Sequence, residues 1–285
     1  MYYKNLPEVT KKQEEIINFI FKFRFANRIQ VQKELNHKDA RRINAWLKDL
    51  VDKKYLGRIY SHKLLENTKP AIYYLENNGI IYVKREKGFQ YKSPNDELET
   101  KQVKKFYDDK KASKTFIEHC ICVCNVYLEI KKIEKNRKNI SYDFLTKTEI
   151  WIQKQMEENF WERKVYIPDL YIEAVQQTKI KIQIDPFFLE VFDPQVPRYA
   201  IRYKIKKYIQ FIEEEIWKND SLIEDDTPYF LLVISDQRKL RSIKKFIEKE
   251  LAYSPRENIF FALTTIDKAI TISTVKNPWE EINND

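Results

Sequence analysis

What these 285 residues lack narrows the reading first. No apolar run approaches the roughly 20 residues that a membrane-crossing helix needs, so no contact with a membrane is expected. The opening residues, MYYKNLPEV, hold no apolar core of a secretion signal. Cysteine occurs three times, at Cys120, Cys122 and Cys124. An odd set crowded onto one stretch is not a disulfide framework, and a reducing cytoplasm is the expected compartment. His119 beside them invites a metal reading. On a helix, however, Cys-x-Cys-x-Cys points its sulfurs to different faces, so packed thiols are expected instead. Glycine is as rare, and two of the three, Gly57 and Gly79, stand where the hydrophobic pattern changes.

What is present suits a globular protein of two domains. Hydrophobic residues make up 43% and charged residues 33%, which excludes a disordered chain. The net charge of +9 is unevenly spread. Residues 1–92 hold 20 Lys and Arg against 10 Asp and Glu, and the remainder holds 32 against 33. The basic excess therefore lies in the first third and points to a polyanionic partner there.

That first third reads as helix, helix-turn-helix and β-hairpin. Thr10 and Gln13 have capping-box spacing ahead of an apolar helix through Ile16, Ile17, Phe19, Ile20 and Phe23. A short helical pattern from Val31 to Leu35 meets a polar break at Asn36-His37. A second helix follows from about Lys38 to Lys54, with Ile43, Leu47 and Leu50 on one buried stripe. Lys38, Arg41 and Arg42 fall off the stripe near the N-terminal end, the part a recognition helix presents to DNA bases. Arginine can grip guanine in a bidentate fork, and lysine or arginine can hold phosphate. Two β-rich runs, Gly57–His62 and Ala71–Leu75, flank a basic tip bearing Lys63 and Lys69. This is the order of a winged helix-turn-helix, expected over residues 1–84, with double-stranded DNA as partner and no cofactor required.

Residues 85–111 are charged and poor in aliphatics, as expected of a linker. An α/β domain is expected over 112–275, followed by a tail at 276–285. It opens with a helix from about Ala112 to Asn136. Val165–Ala174, Lys179–Ile184, Phe187–Phe192, Tyr229–Ser235 and Asn258–Leu263 read as strands, with a break at Asp185-Pro186. Helical patterns at Tyr199–Trp217 and Gln237–Leu251 alternate with the later strands, which implies βαβ crossovers. Asp169, in YIPDLYIE, and Glu190, in FFLEVF, are acids in otherwise apolar strands. Two such carboxylates can share a divalent metal, or each can pair with a base such as Lys204 or Arg202.

The order of these features resembles the replication-relaxation family of prokaryotic proteins, often encoded on plasmids, phages and integrative elements. The likeness runs from about Pro7 to Leu263. It rests on His119, Glu149, Ile167-Pro168-Asp169, Leu189-Glu190-Val191, and the Lys204 and Tyr208 pair four residues apart. The resemblance implies a winged helix followed by a domain similar to the PD-(D/E)xK nuclease fold. Two positions depart from the pattern. Phe192 stands where the family usually has aspartate, with Asp193 one place later, and where a nuclease needs a lysine to orient water. Lys204 is the candidate replacement. The expected function is a DNA-binding protein of a mobile element acting in replication or its control. A homodimer and replication or transfer proteins are the further partners this reading admits. Two rivals stand beside it: a Mg2+-dependent nuclease using Asp169, Glu190 and Lys204 as catalytic residues, with Asp169 and Glu190 as metal ligands, and a transcriptional repressor.

Overall fold

The structure is a computed structural model. It describes residues 5–60, 68–86, 106, 108–136, 139–155, 166–177, 182–220, 222–223, 226–255, 258–274 and 277–283. The chain is mixed α and β, as expected, and packs as two units, Met1–Cys124 and Asn125–Asp285.

In the first unit the elements run α1 (Lys11–Phe23), β1 (Ala26–Asn27), α2 (Arg28–Glu34), α3 (Ala40–Asp52), β2 (Leu56–Ile59), β3 (Ile72–Leu75) and α4 (Asn77–Glu86). Thr10 caps α1 through the reciprocal box with Gln13. Asn27 and Gln30 do the same for α2. The three strands form an antiparallel sheet in the order β1-β3-β2, with Leu56 opposite Leu75 and Ile59 opposite Ile72. Ile16, Ile17 and Ile20 of α1 and Ile43, Leu47 and Leu50 of α3 are fully buried. The Tyr74 ring leans over Gly57, and a Cβ there would lie 2.2 Å from it, so the ring would have to move to admit a side chain. The unit also takes in a 3-10 turn, Asp109–Lys111, and the first half of α5 (Lys114–Asn136). Buried Asp109 is paired with Arg24, whose guanidinium lies 4.6 Å from the Phe116 ring centre. Most of the expected linker lies outside the described residues. Cys120 and Cys124 are buried and carry no disulfide, and burial holds the Cys124 thiol well above its ordinary pKa.

The second unit is built on six strands ordered β4-β5-β6-β7-β8-β9. They are β4 (Ile140–Thr146), β5 (Leu170–Gln177), β6 (Ile182–Phe192), β7 (Tyr229–Ile234), β8 (Phe261–Thr265) and β9 (Glu280–Ile282). The first three pair antiparallel, β6, β7 and β8 pair parallel, and β9 closes antiparallel. The parallel steps are crossed by α7 (Arg198–Glu213) and α8 (Gln237–Leu251). Short α6 (Lys147–Gln155) follows β4, and α9 (Ile266–Ala269) follows β8. Ile201, Ile205, Tyr208 and Ile212 of α7 and Leu240, Ile243 and Ile247 of α8 pack with Phe188, Phe230, Leu232 and Leu263 in one core. The far face meets α5, where Tyr127 stacks edge-on to Phe144 at 4.8 Å.

The expected break at Asp185-Pro186 does not occur. β6 runs through both residues, with Pro186 opposite Glu173 of β5. Pairing with β7 starts only at Phe187, so on that side Pro186 has no ladder partner to deprive of a hydrogen bond.

Candidate functional site

Two groups of residues carry chemistry, one in each unit. In the first, Asp39 caps α3 by accepting from the Arg41 N–H at 2.8 Å. The His37 ring, which accepts from the Asp39 N–H at 3.1 Å, stands edge-on to Trp46 at 5.2 Å. These contacts fix the turn between α2 and α3 and set the start of the helix. Lys38, Arg41 and Arg42 are exposed there, and none of them makes an ion pair among the described residues. Arg42 lies 6.0 Å from the Trp46 ring centre, which lends it a fixed apolar support. Lys69, before β3, is exposed; Lys63 lies outside the described residues.

In the second unit the register brings distant residues into one transverse row. Thr146 pairs with Leu170 and Leu170 with Leu189, so the next step sets Lys147, Asp169 and Glu190 side by side. The Lys147 N–H donates to the Asp169 carbonyl at 3.0 Å, and Glu190 stands next to Leu232 of β7. Asp169 and Glu190 are both buried, Glu190 to 1% exposure. Each carboxylate oxygen is engaged. Asp169 accepts from Lys147 Nζ at 3.0 Å through Oδ1 and from the Val191 N–H at 3.0 Å through Oδ2. Glu190 accepts from Lys204 Nζ at 2.5 Å through Oε2 and from the Tyr208 hydroxyl through Oε1. Lys204 and Tyr208 are four apart on α7 and so project to the same side of the helix. Burial pushes the Glu190 carboxyl above its ordinary pKa, Lys204 pulls it back, and neighbouring Asp169 pushes it up again. Burial, followed by the charge of Glu190, raises the Tyr208 phenol well above its own.

Asp169, Glu190 and Lys204 are therefore brought together. Lys147 joins them without a sequence signal, since its place depends on the β4–β5 register. The other expected participants lie elsewhere. Arg202 stands 5.2 Å from the Phe246 ring centre, and Glu149 accepts from the Thr146 N–H and hydroxyl at the start of α6. His119 is half-buried in the first-unit part of α5. Phe192 is buried in the sheet–helix core, 5% exposed. Two lysine ammoniums already neutralise the two acids, and no set of three or more His, Cys, Asp or Glu is placed to hold a metal among the described residues. So arranged, the group does not fit a divalent ion, which wants free oxygens.

The family model described as Replication-relaxation matches residues 17–225, spanning both groups. No curated protein matches the chain. No helix among the described residues is long and apolar enough to cross a membrane.

Proposed function

Because the chain belongs to the replication-relaxation family, we propose that it is a duplex-DNA-binding protein of a mobile genetic element, acting in replication or its control. Family membership points to the replication of mobile elements; the DNA contact is read from the first unit. The observation that carries it is the exposed trio Lys38, Arg41 and Arg42 at the start of α3, which makes no ion pair among the described residues. The order α1-β1-α2-α3-β2-β3 supports reading that unit as a winged helix, with α3 in the major groove and the β2–β3 hairpin along the backbone. The second unit then holds or assembles rather than cuts, because its paired acids are held by its own lysines. The test is binding of a duplex to R41A/R42A across a salt series. Each lost phosphate contact flattens the log–log slope by about 0.9, so the double variant binds more weakly and less steeply. Unchanged affinity and slope would remove α3 from the interface.

A further inference from the structure

Residues 125–285 hold 26 Lys and Arg against 27 Asp and Glu, a balance that conceals a strong segregation. Helices α7 and α8 alone carry eleven Lys and Arg against three Glu. The two helices lie side by side. Arg202 contacts Ser242 at 3.5 Å and covers Phe246, Lys206 reaches Glu250 at 3.3 Å, and Ser254 donates to Glu213 at 2.6 Å. These pairings advance together along the chain, so the helices run parallel. Their inner sides are committed to the sheet through Ile201, Ile205, Leu240 and Ile243. Their outer sides are open. Arg198 and Arg202 on α7, and Arg238, Arg241 and Lys245 on α8, are exposed and make no ion pair among the described residues.

Two aromatic rings stand among these cations. Tyr199 is 76% exposed and Tyr203 is 64% exposed, far more than rings of that size usually are. Four residues apart, their backbone positions are separated by about 6 Å along the helix axis, on one side of α7. Lys207 lies 5.5 Å from the Tyr203 ring centre. Among the described residues neither ring belongs to the buried core, so packing there does not account for them.

We infer that the outer face of α7 and α8 binds a single-stranded polynucleotide, with bases stacking on Tyr199 and Tyr203 and phosphates held by the surrounding Arg and Lys. Cations alone would serve any polyanion. Two exposed rings one helical turn apart select a strand whose bases are unpaired, since a duplex buries its base faces. The site is independent of the α3 reading: it lies in the other unit and takes a different form of nucleic acid.

The test uses the full chain and labelled dT20, rU20, a 20-base-pair duplex and vesicles containing phosphatidylglycerol, followed by anisotropy or co-sedimentation. The wild type is expected to bind dT20 or rU20, and the tighter of the two names the strand it takes. Y199A/Y203A should weaken that binding at least tenfold while leaving duplex affinity unchanged, and Y199F/Y203F, which keeps both rings, should stay within twofold of wild type. R198A/K245A should flatten the single-strand salt slope by about 1.4. The proposal is overturned if Y199A/Y203A binds dT20 and rU20 as wild type does, if it loses duplex binding equally, or if vesicles are bound more tightly than either strand. A failure confined to R41A/R42A on duplex would leave it standing.

Discussion

Replacing Lys204 with methionine keeps most of the stem and removes the charge that faces Glu190. Glu190 is 1% exposed, and its two other charged neighbours are Asp169, which repels it, and Lys147. Breaking a buried pair by removing one partner typically costs about 3–5 kcal/mol. Here the Lys204 side chain is 33% exposed and Tyr208 still donates, so about 2–4 kcal/mol is expected at pH 8. The pH dependence has a definite sign. The Glu190 pKa is already raised in the folded state, so its contribution to stability is full below the unfolded value and is lost as pH rises through the folded one. Without Lys204 the folded pKa climbs further, and the loss extends to higher pH. The penalty should therefore be small near pH 4 and largest at pH 8. Urea unfolding followed by tryptophan fluorescence reads it, since Trp151, Trp161, Trp217 and Trp279 all fall within residues 125–285. In a double-mutant cycle with E190Q, most of the cost should disappear, because a neutral amide needs no counter-charge. A K204M penalty below about 0.5 kcal/mol at pH 8, a penalty that does not change with pH, or one that survives E190Q would refute the reasoning.

Removing the Tyr208 hydroxyl by Y208F leaves one Glu190 oxygen without its donor and should cost about 1–3 kcal/mol at pH 8; a neutral result would mean the bond is made equally well by water. Asp109, raised to about 6 chiefly by burial, should make the first unit less stable as pH climbs from about 4 to about 7, by roughly 3 kcal/mol. D109N should abolish that slope, read through Trp46, the sole tryptophan of residues 1–124; a slope retained in D109N would assign it to another group. G79A should be destabilising by about 1–3 kcal/mol, because the added Cβ meets the Tyr55 carbonyl oxygen at 2.3 Å. A melting temperature equal to wild type would show that α4 can shift to admit it.

Much of the local structure was legible because short-range rules decide it. Thr10 and Gln13 marked the start of α1 by capping chemistry, and Ile43, Leu47 and Leu50 marked the buried stripe of α3 by spacing. α8 begins and ends at Gln237 and Leu251, where the periodicity placed it, because Asp236 caps it and the apolar stripe stops at Leu251. Lys204 was a foreseeable partner for Glu190, since a buried acid requires one and an adjacent helix offered a base. The continuity of β6 was not legible. A proline reads as a break unless the reader knows which side of the strand is unpaired, and that depends on where β7 begins.

By itself the sequence determined most of the helices and core strands, the family pattern and the basic surplus of the first third, because those follow from local patterns, motif order or simple sums. Only the tertiary structure decided that Lys147, Asp169 and Glu190 share a row, because strand register is a relation between segments tens of residues apart. The same holds for the basic, tyrosine-bearing face of α7 and α8. Its charge vanishes in the total for residues 125–285 and emerges only when two helices are laid together with their apolar sides turned to the sheet.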